Sequence, residues 1–369
     1  MSARHSALIF APPPPPPGGV PGGIGAITSV LMREFEAHPE IAFSSPVPKE
    51  ATGRFGLRRG ITNIVRLIRG SARVRRDGTV LMFSSAGASF WEKAVWSLVV
   101  RAMGRSAAVV MVAGDFPEYF ASLPLLMRAV ARTMLSSRSL MIGAQSSTWL
   151  QYFRTTFPRA SIATVSASAD REFFEPYPRL PSPDGYVRVL YVGWITVTKG
   201  VIDVLDAAVI AAASSPRSFR LRLVGPTLGD SARWQAELDA RGLGSIVTMV
   251  GSVSSREALL GELRAADIFV FPSHFEGFPQ ALVEAAAAGL ACIGTRVGGV
   301  PDILNYGSAG ILVSPKAPEE LAEGLVRLLG DAEMRSTLAA ALKQHALTTY
   351  SHEACASSYL DLLRLRKLQ

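Results

Sequence analysis

Residues 269–300, FVFPSHFEGFPQALVEAAAAGLACIGTRVGGV, constrain the fold more than any other stretch of the chain. An apolar run of β type from Ile268 to Phe271 stops at Pro272. A short loop then carries Glu276 and Gly277, Pro279 opens an alanine-rich helix, and a second apolar run follows from Leu290 to Ile293. Strand, loop, helix and strand in that order make one crossover of a parallel sheet, because parallel neighbours cannot be joined by a tight turn. A chain containing this unit is expected to be α/β, with helices on both faces of the sheet.

The same stretch gathers chemistry. With Pro279 at the first helical position, the N–H groups of Phe278, Gln280, Ala281 and Leu282 point out of the helix start and suit an anion such as a phosphate. Glu276 and Glu284 lie eight positions apart, one in the loop and one in the helix. Glu284 can accept from two vicinal hydroxyls, as on a ribose, and Glu276 can accept from hydroxyls lying beyond the phosphates. Gly277 lets a ligand approach the backbone closely. The plainer alternative is an acidic helix face beside an ordinary α/β loop.

The pattern E-G-F-P-x-x-x-x-E, followed by A-x-x-x-G and by G-G-V-P-D at Gly298 to Asp302, resembles the donor half of retaining GT-B glycosyltransferases of family 4, and more broadly the members that assemble polysaccharides and the cell envelope. The resemblance implies two doubly wound, Rossmann-like α/β domains facing across a cleft. The C-terminal one would hold a nucleotide diphospho-sugar, and the sugar would pass to a glycan or polyprenyl-diphosphate-linked acceptor without a cofactor.

Length and composition agree with that reading without specifying it. At 369 residues the chain suits two domains rather than one core. Hydrophobic residues make up 49% and charged residues 18%, as in a well-packed globular protein. No apolar run reaches the roughly 18 residues of a spanning helix, since Ala94 to Val112 is cut by Arg101 and Arg105. The start, MSARHSALIF, lacks a signal peptide's apolar region, so a cytoplasmic protein is expected. The two cysteines, Cys292 and Cys355, offer no metal spacing or disulfide framework. Without a D-x-D pair or a His/Asp cluster, metal-independent chemistry is the expectation. A net charge of +8 favours an acidic partner: a nucleotide, a lipid diphosphate, an anionic membrane or nucleic acid.

In the N-terminal half, a strand from Ala7 to Phe10 leads into six prolines, Pro12 to Pro17, and then a glycine-rich segment before a helix from Ile24 to Phe35. This is not G-x-G-x-x-G, which weakens a nicotinamide oxidoreductase reading. The resemblance places Gly22 and Gly23 near the donor phosphates; a ligand-free turn is the alternative. Eight arginines and no acid lie between Arg54 and Arg76. Arg66, Arg69, Arg73 and Arg76 read as a basic helical stripe beside Ile61, Ile64, Val65 and Ile68, fitting either a solvated surface helix or an anionic membrane surface at the inner face of the cell membrane. Nucleic acid is disfavoured, since no aromatic residues interleave. Strands follow at Thr79 to Phe83 and Ala107 to Val112. Beyond them Ala113 stands where the resembled family carries a His, and Asp115 is the nearest polar substitute, either catalytic or a helix cap. Strands at Leu140 to Gly143 and Ile162 to Val165 complete this half, and four prolines between Glu175 and Gly185 read as the linker, so the first domain is taken as residues 1–178.

The second domain, 179–350, opens with a strand at Val187 to Val192. Lys199 then precedes a helix from Val201 to Ala213, and a lysine there can neutralise charge developing on a leaving phosphate. The resemblance expects a second cation at position 194, which is Trp194. Strands ending near Gly225 and Val253 bring loops to the edge where an open parallel sheet binds nucleotide. His274, two residues from Glu276, is a candidate sugar contact. The resemblance also implies that a last helix, within 351–369, crosses back to the first domain. Glu276, Lys199 and Asp115 are thus the catalytic candidates. Donor-binding candidates are Gly22, Gly23, Trp194, Gly225, Val253, His274, Gly277 to Pro279, Ala281, Leu282 and Glu284, together with Lys199 and Glu276. A non-catalytic nucleotide-sugar-binding protein, or an epimerase or phosphorylase of the same architecture, remains open.

Overall fold

The short apolar runs form parallel strands, and most are followed by a helix that returns the chain to the same edge. The structure is a computed structural model that describes residues 5–13, 23–46, 57–112, 114–177 and 184–364. Among these the chain divides into two compact units.

The first unit comprises residues up to Ser168 together with the stretch from His352 onward. It contains β1 (His5–Phe10), β2 (Ile41–Ser44), β3 (Val74–Ser84), β4 (Ser106–Met111), β5 (Leu140–Ala144) and β6 (Ser161–Thr164), all parallel, in the order β2-β1-β3-β4-β5-β6. Phe10, Met82, Val109 and Ile142 face a core that includes Leu67, Phe90, Ala131 and Phe153. Ile9, Leu81 and Val110 face the opposite side, with Ile27, Leu31, Tyr359 and Leu362. That second face is covered by the helices Gly23–Glu34 and His352–Arg364.

The second unit spans Ala169 to Ser351 and holds β7 (Val187–Val192), β8 (Phe219–Val224), β9 (Val247–Gly251), β10 (Ile268–Phe271), β11 (Ala291–Thr295) and β12 (Ile311–Val313). The order β12-β11-β10-β7-β8-β9 is again wholly parallel. Chain progression reverses between β7 and β10: connections from β7 run one way across the sheet, and those from β10 run the other. The crevice beyond the strand ends at such a reversal is where this architecture takes ligands. Entering the other end of the same pair, the Asp267 carboxylate accepts from Arg188 N at 2.8 Å, Nε at 3.0 Å and Nη2 at 2.9 Å.

Three boundaries differ from those the sequence suggests. The first unit ends at 168, not at the proline-rich segment, because Phe173 is buried in the second unit's core, Ala169 N–H donates to the Tyr350 carbonyl at 3.0 Å, and Asp170 pairs with Arg256. The arginine stripe does not continue along one helix. The helix Leu57–Ala72 carries Arg66 and Arg69; Arg73 lies beyond its end and Arg76 stands in β3. Val74 pairs with His5 and Thr79 with Ala7, so residues 75–78 bulge out between two consecutive pairings. Gly78 makes the bulge fit, as a Cβ there would lie 2.4 Å from the Ser6 carbonyl oxygen. The third difference is β2, whose four residues are too short to declare themselves by alternation. No helix among the described residues is long and apolar enough to cross a membrane.

Asp267→Ala removes three hydrogen bonds from the partly buried Arg188 and is expected to lower the unfolding free energy of the second unit by roughly 2–3 kcal/mol. Urea unfolding of both single variants and the double variant checks it: the double should cost less than the two singles added together.

Candidate functional site

At the β7/β10 reversal, the loops leaving the two strands meet. After β7 the chain passes Gly193 and Trp194, makes a single turn of 3-10 helix at Val197–Lys199, and enters the helix Val201–Ser214 through Gly200. Beyond β10 it passes Pro272 to Pro279 and enters the helix Gln280–Ala287. Lys199 Nζ donates to Glu276 Oε1 at 2.5 Å, a pair formed between residues 77 positions apart. Glu276 is largely buried at 12% exposure and Lys199 keeps 32%, so the ammonium is the more accessible partner.

Backbone contact holds the two loops in register. His274 N–H donates to the Thr198 carbonyl at 3.0 Å. Gly200 has a φ of +72°, and a Cβ there would lie 2.0 Å from the Pro272 carbonyl oxygen. Gly298 has a φ of +50°, and its Cβ would lie 2.1 Å from the Glu276 carbonyl oxygen; Gly299 N–H donates to the Gly277 carbonyl at 2.9 Å. Only glycine combines this left-handed geometry with such an approach. Thr295 Oγ1 donates to the Ser273 carbonyl at 2.5 Å, fixing the first turn of the loop.

The remaining candidates take distinct places. Trp194 is 52% exposed, and its carbonyl accepts from the hydroxyl of the buried Tyr191 at 2.7 Å. Gly225 abuts Gly193 backbone to backbone. Val253 packs partly buried against the core. A cavity of about 490 Å³ beside them is lined by Ile195, Gly225, Leu228, Met249 and Gly251. His274 is engaged away from the ion pair: its Nε2 meets Asp203 Oδ2 at 2.7 Å, in the first turn of the helix Val201–Ser214. Gly277 and Leu282 are buried and Ala281 is partly so. Phe278 packs edge-on to Tyr350.

Pro279 is the N-cap, not the first helical residue. Its ψ of 107° is extended, so the helix starts one residue later, with Val283 N–H donating to the Pro279 carbonyl. Amides ahead of Val283 still lie at the helix start, where the dipole favours an anion. One turn in, Glu284 keeps a strip of surface but is otherwise ringed by protein. Burial pushes its carboxyl up to about 7, against the opposing pull of Gln280, whose Nε2 donates to Oε1 at 3.3 Å, and of Arg256.

Asp115 and Gly23 belong to the first unit. Asp115 is exposed ahead of the helix Phe116–Ser122 without a side-chain cap bond, and Gly23 begins the helix Gly23–Glu34. Gly22 and Ala113 lie outside the described residues. The residues that sequence reasoning overlooked are Tyr191, Asp203, Gly200 and Gly298, which support the site without facing it. Of these, only Gly298, in the G-G-V-P-D segment, and Gly200, directly after Lys199, carried a signal.

The two-unit fold is shared with solved structures. The chain is similar in structure to sucrose-phosphate synthase from Thermosynechococcus elongatus, with a TM-score of 0.76 at 19% identity over 99% of both chains. It is also similar to Anabaena Alr3699/HepE, crystallised in complex with UDP and glucose, with a TM-score of 0.72 at 16% identity over 97% of this chain and 99% of that one. The architecture is thus α/β of the GT-B class. Residues 175–345 match the family described as glycosyl transferases group 1, and the chain is a GT-B protein whose second unit is a group 1 glycosyltransferase domain. Among curated relatives, it is 32% identical over 200 residues to a D-inositol 3-phosphate glycosyltransferase of Nocardiopsis dassonvillei, covering 51% of this chain and 46% of that protein. The chain spans about half the length of the curated relatives it matches.

Glu284 supplies a test that needs no ligand. Its folded value of about 7 exceeds the ordinary 4.5, so the folded state binds this proton more tightly. Its contribution to stability is present below the ordinary value and declines as pH rises through the window to about 7. The thermal midpoint of wild type relative to Glu284→Gln should therefore fall across that window, and a difference that does not change with pH would refute the assignment.

Proposed function

We propose that the protein transfers a sugar from a nucleotide diphospho-sugar to an acceptor hydroxyl, with retention at the anomeric carbon and without a metal ion. The Lys199–Glu276 pair at the sheet reversal carries the proposal. A cation and a carboxylate, side by side ahead of a helix start, suit a phosphate next to a sugar: the ammonium and helix amides take the diphosphate, and the carboxylate takes sugar hydroxyls. The names of the relatives support the same class, since the curated ones are glycosyltransferases and HepE was solved with UDP-glucose.

On this reading Lys199 and the amides after Pro279 stabilise the diphosphate as it leaves, and a leaving oxygen accepts the acceptor proton on the same face of the sugar. No protein nucleophile is required. Glu284 grips the ribose, and the cavity beside Gly225 and Met249 takes the base. His274, already committed to Asp203, positions the loop that carries Glu276. We further propose that the acceptor is a glycan or lipid-linked glycan of a surface polysaccharide or glycoconjugate.

Thermal stabilisation by UDP, GDP, ADP and their sugar derivatives tests the donor site. One nucleotide series at one hundred times its dissociation constant should add about 2.7 kcal/mol. Lys199→Ala and Glu284→Ala should abolish the shift while leaving folded protein. A shift retained in both variants would place the nucleotide elsewhere. Nucleotide binding without any release of nucleotide from its sugar derivative, across a panel of acceptors, would favour a non-catalytic binding protein, a reading that Trp194 in place of a second cation invites.

Ribose hydroxyls donate best to an ionised Glu284. Nucleotide affinity is therefore expected to weaken as pH falls below about 7, approaching tenfold per pH unit at the limit. Calorimetric titration at several pH values checks this, with Glu284→Gln flattening the dependence.

A further inference from the structure

Three helices cover one face of the first unit's sheet side by side: Leu57–Ala72, then Ala88–Ala102, then Leu125–Leu135. Each buries an inner row in the same core, represented by Leu67, by Phe90 with Ala94, and by Ala131 with Leu135. Their outer rows are apolar as well. On the first helix Ile61, Val65 and Ile68 are exposed at steps of four and three. Val95 and Leu98 repeat a three-residue step on the second. The third exposes Leu125 at 77%, Leu126 at 76%, and Met127 and Val130 to a lesser degree. Nine of the eighteen exposed large hydrophobic residues among those described stand on these three helices, so the apolar surface is concentrated and not scattered.

The charge on the same helices has one sign. The first carries four arginines and no acid, the third carries two arginines and no acid, and the second has Lys93 and Arg101 against Glu92. These helices therefore hold a net +7 within a chain whose total is +8. Arg101 is spent on the carbonyls of Ser97 and Met134, between the second and third helices. Arg69 and Arg132 stand exposed beside the apolar rows.

We propose that this three-helix face docks on an anionic lipid bilayer, with its apolar rows entering the interface and its arginines meeting lipid phosphates. The charge chooses this occupant. A second copy would bring two basic faces together, whereas an anionic leaflet attracts each arginine near its surface. The surface also runs across three neighbouring helices, which suits a plane more than a single peptide helix. The face belongs to the first unit alone, and so it stands or falls independently of the donor site.

The full chain is tested by co-sedimentation with vesicles of phosphatidylglycerol and of phosphatidylcholine. Binding is expected to phosphatidylglycerol at low salt, to weaken with added salt, and to be far lower on phosphatidylcholine. Arg69→Gln with Arg132→Gln should lower the partition coefficient about thirtyfold. Leu126→Ser with Val130→Ser should lower it at unchanged charge, and a preserved thermal midpoint shows that either variant is folded. No sedimentation with phosphatidylglycerol overturns the proposal, as does binding unaltered in both double variants. Equal binding to the two lipids overturns the role of charge. Sedimentation velocity supplies the remaining arm: a dimer that Leu126→Ser with Val130→Ser dissociates would assign the face to a second copy instead.

Discussion

β7 and β10 are neighbours in space although two strands separate them in sequence, and an ion pair closes each end of their pairing. At the entry end Asp267 grips Arg188, backbone and guanidinium together. At the exit end Lys199 meets Glu276. The strand pairing in between, Val189 with Ile268 and Leu190 with Phe269, is short and wholly buried. Shifting it by one residue would turn the apolar side chains of β10 to the wrong faces and separate both charge pairs at once. The register of this one strand pair therefore sets the geometry of the site, and the other strands extend the sheet on either side of it.

What the register sets, the loop backbone holds. Gly200 lies against the Pro272 carbonyl and Gly298 against the Glu276 carbonyl, so three separate connections touch through main-chain atoms. Main-chain contacts have no rotamers to lose, and a carbonyl fixed by its neighbours holds the side chain it carries. The His274–Asp203 bond adds a side-chain tie between the loop after β10 and the helix after β7. A polar group that looks from the sequence like a free ligand donor is spent instead on keeping Glu276 in place.

The legible parts of the sequence were those in which chemistry and periodicity coincide locally. Val187–Val192 and Ile268–Phe271 are read with their observed bounds, and the Glu276 to Glu284 segment announces its strand, loop and helix. Contacts between distant segments were not legible: nothing near His274 points to Asp203, 71 positions earlier. Continued periodicity misled at the arginine stripe, because spacing cannot show that a helix has ended when a bulged strand follows it. The outer apolar rows escaped for a related reason. On the helix Leu57–Ala72, Ile61, Ile64, Val65 and Ile68 read as one apolar stripe, yet Asn63, Leu67 and Ser71 are the buried ones and three of those four face out. When the inward row mixes Asn63 and Ser71 with a single leucine and the outward row is apolar, apolar periodicity points to the wrong face.

The ion pair also narrows what the proposed site can accept. Lys199 and Glu276 neutralise each other at 2.5 Å, so an arriving ligand must offer something to both. An anion alone could draw off the ammonium, whose flexible stem can swing, but it would leave the mostly buried Glu276 carboxylate facing added negative charge. A neutral sugar alone could donate to Glu276 but has no anion with which to attract Lys199. A phosphate joined to a sugar satisfies both partners together, the anion taking the cation as the hydroxyls replace it at the carboxylate. Selectivity for an intact sugar donor over free phosphate then follows from the pairing itself, because only the complete ligand compensates both halves of the contact it breaks.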